Sequence, residues 1–384
     1  GLTLDLDRGR VEGRVSAGVA VTVSRAHAGR VHTTVGRSDP EGAFSARVPG
    51  GAAEPADAPA NPLAAGDGVT VAVPDPRGGV IAQEIVVPQL DLQLDVTANR
   101  ITATTLPSTR LELSMGSTEL HVIGQRYIGA SRAMSVVVPS DGRLEVDATP
   151  VGTLAGGRSV VAALWLASGH RILRRRIVPR FEVPINGHRV CVLGDSAAPV
   201  TAALERDGSV VAVGTARISA AGGVAVDLVR ADGRPDATRP GDVVTIRYGH
   251  AAAVVATSLE IPPLTWTMDW ADQIVEGDTV PDSVVAVAFS SRAECQPAPI
   301  DFWLAHGVQN TAANTNGHFR WQHGGEMTAG FWALEEAELN LTLPLPGGHA
   351  AIARGRELRA DAHVDTPWLA GEADAGAVVA AVVA

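Results

Sequence analysis

The sequence predicts an all-β protein: four tandem β-sandwich domains in an extended row, followed by a short strand-like C-terminal tail. Three observations predict it. First, one short phrase closes a run of alternating apolar residues four times: Val87-Pro88-Gln89-Leu90, Val178-Pro179-Arg180-Phe181, Ile261-Pro262-Pro263-Leu264 and Thr366-Pro367-Trp368-Leu369. The four prolines are 91, 83 and 105 residues apart, each interval about the length of one small sandwich. Second, apolar content is 46% but aromatic content only 4%, because Val and Ala carry it, and Val is at home on a pleated sheet. Third, no stretch shows the period of a long amphipathic helix.

The expected domains are 1–90, 91–181, 182–264 and 265–369, with the tail at 370–384. In the first, Leu2, Leu4 and Leu6 alternate with polar residues, then Arg10–Val15 and Ala20–Val23 follow as strands. Asp39-Pro40-Glu41-Gly42 has Pro and Gly where a type I turn wants them, and Phe44, Ala46 and Val48 then share one face. Leu63-Ala64-Ala65-Gly66-Asp67-Gly68-Val69 leads into two closing strands. The second domain repeats the order through Leu92, Leu94 and Val96, the turn Ser140-Asp141-Gly142, and Leu154–Arg158. The third has Arg189-Val190, Ala221-Gly222-Gly223 and Pro240-Gly241-Asp242-Val243. The fourth has Trp266, Met268 and Trp270, then Asn316-Gly317-His318-Phe319. Each signal is weak alone; their common order is what carries the reading.

These residues resemble a known class. Val11-Glu12-Gly13, Pro40-Glu41-Gly42-Ala43-Phe44 and the stretch from Leu63 to Val73 are similar to tandem Ig-like and carboxypeptidase-regulatory-like (transthyretin-like) repeats of bacterial surface proteins. The resemblance covers domains one to three; the fourth departs by an insertion around 306–335. It implies an Ig-like sandwich and an extracellular, stalk-like or fibre-forming role, and it implies no reaction.

Charge narrows the partners. The net charge is −11, so no basic surface is available to displace counterions from phosphates, and nucleic acid is not expected. All 31 basic residues are Arg, which excludes cross-links through a Lys amine. The one basic run, Arg174-Arg175-Arg176, reads as a solvated sheet edge. No stretch is long enough for a membrane-spanning helix. Cys191 and Cys295 fall in different repeats and are a candidate disulfide pair or two buried thiols.

Six of the seven Trp lie after residue 264, which fits either a better filled core or a surface aromatic patch through Trp303, Trp321 and Trp332 for sugars or another subunit. The run Val378-Val379-Ala380-Ala381-Val382-Val383 is uncharged and of strand length, and is expected to add to a sheet of another copy. Its Val378, Val379, Val382 and Val383 are the candidate subunit interface.

Catalytic and cofactor motifs are not found. Gly194-Asp195-Ser196 has the letters of an esterase motif, but Gly277-Asp278-Thr279 in the fourth repeat marks it as the repeat's own turn. No cofactor, metal or catalytic site is assigned, and the chain is not read as an enzyme. Asn340-Leu341-Thr342 is a lone glycosylation sequon. The expected role is a structural subunit of an extracellular filament or surface layer that polymerises head-to-tail. The alternative is a surface adhesin or glycan-binding protein with domain four as its tip. Other copies of itself, or surface glycans, are the expected partners.

Overall fold

Leu2, Leu4 and Leu6 are all buried, while Thr3 and Asp5 between them are half-buried, as strict alternation requires. The computed structural model describes residues 1–48, 62–117, 132–195, 197–219, 222–249, 255–269, 274–290, 309–322, 338–356, 359–362 and 369–372. Its fold is all-β.

The first repeat supplies β1 (Thr3–Asp5), β2 (Arg10–Arg14), β3 (Ala20–His27), β4 (Arg30–Arg37), β5 (Ala43–Arg47), β6 (Gly68–Pro74) and β7 (Val80–Val86). The second supplies β8 (Asp91–Asp95), β9 (Arg100–Thr104), β10 (Arg110–Ser117), β11 (Ala133–Val137), β12 (Arg143–Asp147), β13 (Arg158–Trp165) and β14 (Arg171–Ile177). The third supplies β15 (Arg180–Pro184), β16 (Arg189–Leu193), β17 (Pro199–Arg206), β18 (Ser209–Arg217), β19 (Gly223–Asp227), β20 (Val243–Tyr248) and β21 (Val255–Glu260). The fourth supplies β22 (Leu264–Asp269), β23 (Ile274–Thr279), β24 (Val284–Ser290), β25 (Gln309–Ala312), β26 (His318–Gln322), β27 (Glu338–Leu345) and β28 (His349–Arg356). A hairpin of β29 (Arg359–Ala362) and β30 (Leu369–Glu372) follows.

In every repeat the first, second and fifth strands share one sheet. The others form a second sheet in the order fourth, third, sixth, seventh. This is a sandwich arrangement with antiparallel neighbours inside each repeat.

Two local devices explain the recurring sequence phrases. The glycine before each fifth strand (Gly42, Gly142, Gly222, Gly317) has φ between 76° and 87°, a region that favours glycine. Its N–H closes a turn on the residue three back, at 2.9–3.0 Å in all four. Its carbonyl accepts from Val15, Thr105, Gly194 or Thr279 at 2.8–3.0 Å, which places the backbones so close that a Cβ on Gly42 would meet the Val15 oxygen at 2.1 Å. The closing phrase works differently. Val87, Val178 and Ile261 donate their N–H back to Asp67, Arg158 and Asp242 at 2.8 Å, and the following proline has no N–H with which to continue the ladder. The fourth phrase, at Thr366-Pro367, lies outside the described residues.

The chain gathers into two compact units. Unit 1 is 1–179 with 193–198 and 217–223; unit 2 is 180–192, 199–216 and 224–384. Within unit 1 the buried residues of both repeats form one continuous core, from Leu2 and Leu4 through Val69, Leu111 and Leu164 to Val178. The repeats are also joined by hydrogen bonds. β1 pairs in parallel with β14, fusing a three- and a four-stranded sheet into one of seven, β11-β10-β13-β14-β1-β2-β5. In unit 2, β15 pairs in parallel with β28 and gives β19-β16-β15-β28-β27-β24-β25. The registers are the same: Thr3↔Arg171 and Glu182↔Ala350 are each 179 positions apart from unit to unit.

This placement corrects the reading of the arginine run. Arg174-Arg175-Arg176 pairs with β13 on one side and lies just past the β1 register, which ends at Leu173; its open side is covered by the Asp7 and Asp195 carboxylates, so the run is half-buried and not solvated.

Candidate functional site: strand junctions, buried ion pairs and a valine-rich sheet face

The parallel junctions concentrate the polar chemistry of the molecule. At the head of β1, the Leu2 N–H donates to Nδ1 of His170 at 3.0 Å, and the Arg171 N–H donates to the Leu2 carbonyl at 2.8 Å. Beyond the strand, the Leu6 N–H donates to the Leu173 carbonyl at 3.0 Å. Unit 2 repeats this with Phe181 N–H to Nδ1 of His349 at 3.3 Å and Ile185 N–H to the Ile352 carbonyl at 2.8 Å. Each His therefore accepts on Nδ1 and is neutral in this role. Burial pushes the pKa of both below the ordinary histidine value, and Arg180 adds to the effect at His349. His349 also stacks on Phe181, with ring centroids 4.8 Å apart.

Unit 1 adds a second lock. One Asp7 oxygen accepts the Arg175 N–H at 2.5 Å, and the other lies 3.3 Å from Arg174 and 3.2 Å from Arg176. Burial pushes the Asp7 carboxyl above the usual range, against the pull of those guanidiniums. Asp195 sits nearby, accepts the Ile177 N–H at 2.9 Å and faces Arg176 at 3.8 Å; burial raises its pKa too. The Gly194-Asp195 turn thus uses its carboxylate to hold the end of β14.

Two more buried carboxylates brace the turns before the sixth strands. Asp67, 2% exposed, takes Arg25 at 2.7 Å, His27 at 2.5 Å and the Ala64 N–H at 2.9 Å. Asp242, 4% exposed, is held by the Arg206 fork at 3.0 and 2.8 Å and by the Arg239 N–H at 2.8 Å. Burial alone would raise both carboxyls, but these donors outweigh it and hold both below the usual range. Arg158 takes this position in the second repeat, so the device is present where the sequence reads Gly-Asp.

The residues singled out in the sequence fall as follows. Cys191 is disulfide-bonded; the other cysteine, Cys295, lies outside the described residues. Trp321 is 7% exposed on β26 opposite Val275, so at this position the filled core applies and not a surface patch. Trp303 and Trp332 lie outside the described residues, as do Val378, Val379, Val382 and Val383. The tail's first residues, Ala370 to Glu372, belong to β30 and pair with β29. Asn340 lies on central strand β27, 9% exposed, with its Oδ1 3.3 Å from Arg354, so the sequon is closed to a glycan. His318 is exposed and faces Asp278 at 3.1 Å. Among the described residues no three His, Cys, Asp or Glu side chains come together as metal ligands, and no helix is long and apolar enough to cross a membrane.

An open surface lies on the first repeat. The outer face of the sheet β4-β3-β6-β7 carries Val31, Val35, Val80 and Val86, each more than 60% exposed. Thr22, Ser24, Thr33, Thr70 and Ala72 lie between them in the cross-strand register, and the charges on this face are Glu84 on β7 and Arg37 at the end of β4. Valines and small hydroxyls make up most of this exposed face.

No family model matches the chain, and no curated protein matches it. Solved structures do. The tetra-tandem repeat in the extending region of a large adhesion protein is 16% identical, with 92% of this chain and 97% of that chain covered and a TM-score of 0.17. A structure described as bearing on host cell surface retention of a 1.5-MDa bacterial ice-binding adhesin is 14% identical, covering 67% and 91%, with a TM-score of 0.14. Escherichia coli alpha-2-macroglobulin is 9% identical, covering 97% of this chain and 31% of its own, with a TM-score of 0.17. Superpositions at these scores decide nothing about function, and the all-β class rests on the chain's own strands.

Proposed function

We propose that this chain is a structural, non-enzymatic segment of a cell-surface protein of the adhesin type, working outside the cytosol. The observation that carries the reading is what the buried and half-buried acids and bases are used for. Asp7, Asp67, Asp195, Asp242, His170 and His349 each hold backbone or an arginine within a repeated strand plan. A protein built to repeat a plan and to brace it is a scaffold. The disulfide at Cys191 supports an oxidising compartment. Surface proteolysis and non-permeant labelling of intact cells test this: the chain should be shaved and labelled. A cytosolic chain with reduced Cys191 overturns it.

The finer reading is that copies associate head-to-tail, the Val378–Val383 run adding a strand to a neighbour. Its support is the uncharged, strand-length composition of that run. Deleting 376–384 should abolish filaments in electron micrographs; unchanged filaments would remove the idea. Glycan recognition by the fourth repeat is the alternative. With Trp321 in the core, it would rest on other aromatic residues, and a glycan array with the full chain decides it.

A further inference from the structure

The parallel junctions have a mechanical consequence. β1 is the first strand of unit 1 and β14 its last before Pro179; the two lie side by side and run in the same direction. Tension on the chain enters unit 1 at the head of β1 and leaves at the tail of β14. Because the strands are parallel, these points are at opposite ends of the paired segment. Pulling therefore slides one strand along the other, and the cross-strand bonds resist together. Strands loaded from the same end would open one bond at a time. The residues between β1 and β14 lie outside the path of the force until the junction gives way. The same geometry holds for β15 and β28 in unit 2.

We propose that each junction is a tension clamp, and that the mechanical element of this protein is the two-repeat unit and not the single sandwich. The inference goes beyond the surface role proposed above and does not depend on any partner. The two clamps are unequal. In unit 1 the backbone ladder is prolonged by Asp7, which takes the Arg175 N–H and faces Arg174 and Arg176. At the matching positions, 179 residues on, unit 2 has Asn186 and the sequence Ala353-Arg354-Gly355. Asn186 has no carboxylate with which to repeat the Asp7 lock, and Arg354 donates to Asn340 at 3.3 Å. Unit 1 is the stronger clamp.

Single-molecule stretching of the full chain from its two ends, in a reducing buffer that opens the Cys191 disulfide, tests this. Thr3 to Ile177 and Glu182 to Arg356 are each 175 residues, so each clamp holds back about 60 nm of extended chain, against about 30 nm for one repeat. The expected record has two principal force peaks of unequal height. Each precedes every release within its unit, whether the 60 nm then comes at once or in two weaker steps. Four independent releases of about 30 nm at similar force overturn the proposal. Asp7→Ala should bring the higher peak down towards the lower and leave the lower unchanged. If the higher peak does not move, the assignment of Asp7 is wrong. In oxidising buffer one of the two releases should shorten, and that one should be the weaker; shortening of the stronger release overturns the ranking.

Discussion

Units 1 and 2 share a backbone plan and differ in what fastens it. The register of the parallel pair is identical at a spacing of 179 residues, and His170 and His349 accept the same N–H in both. Yet Asp7 has Asn186 as its counterpart, Glu12 has the disulfide-bonded Cys191, and His27 has Arg206. Backbone ladder and apolar alternation thus fix the architecture, while the side-chain fasteners were fitted separately. A buried carboxylate needs donors, but it does not need the same donors.

That contrast is sharpest at the two buried aspartates. Asp242 depends on one guanidinium, whose fork spans both carboxylate oxygens. Arg206→Ala leaves that carboxylate buried with little more than a backbone N–H, and should cost about 3–5 kcal/mol, read as a lower urea midpoint for unit 2. Arg25→Ala should cost clearly less, because His27 and the Ala64 N–H remain on Asp67. Equal losses would mean that donor number at these sites is immaterial.

The four turn glycines allow the next comparison, between repeats. Alanine at Gly42 or Gly317 meets a carbonyl oxygen at 2.1 or 2.3 Å in addition to the unfavourable φ, whereas at Gly222 the nearest atom is 3.5 Å away. Gly222→Ala should cost about 1 kcal/mol, near the lower end for a left-handed residue, and the other two distinctly more. Chemical denaturation of the three variants gives the order directly.

Much of this was legible in the sequence for local reasons. Turn glycines, the Gly-Asp pairs and the alternation of Leu2, Leu4 and Leu6 act over a few residues, and such signals survive in one dimension. The proline phrases marked strand ends because a missing N–H is a covalent property. The parallel junctions were not legible. They join residues 168 positions apart through backbone groups, which carry no residue code. A weak signal existed: Gly169-His170 and Gly348-His349 recur at 179 residues, twice the period that the proline phrases suggest. The arginine run misled for a similar reason, since the Asp7 and Asp195 carboxylates that cover its open side are not named by the local sequence. Trp321 shows the limit for surfaces, because an aromatic residue beside charged ones can still face inward on a strand.

The two histidines supply the smallest effect and the most selective one. Both have pKa values below that of an unfolded histidine, about 6.5. The unfolded chain therefore takes up the proton first as pH falls. Their contribution is full above 6.5 and is lost progressively below it, down to the folded-state values. Asp67 and Asp242, whose pKa values are lowered, keep their contributions until pH falls through the acid range below 3.8. As pH falls from 7 the histidines should accordingly lower stability, while Asp7 and Asp195 in unit 1, whose pKa values burial raises, act in the opposite sense. His170→Gln keeps an acceptor for the Leu2 N–H but cannot be protonated, so it should flatten the pH slope of unit 1 alone, and His349→Gln that of unit 2. Denaturant midpoints measured across this range would settle it. A slope that persists in the double variant would place the acid sensitivity elsewhere.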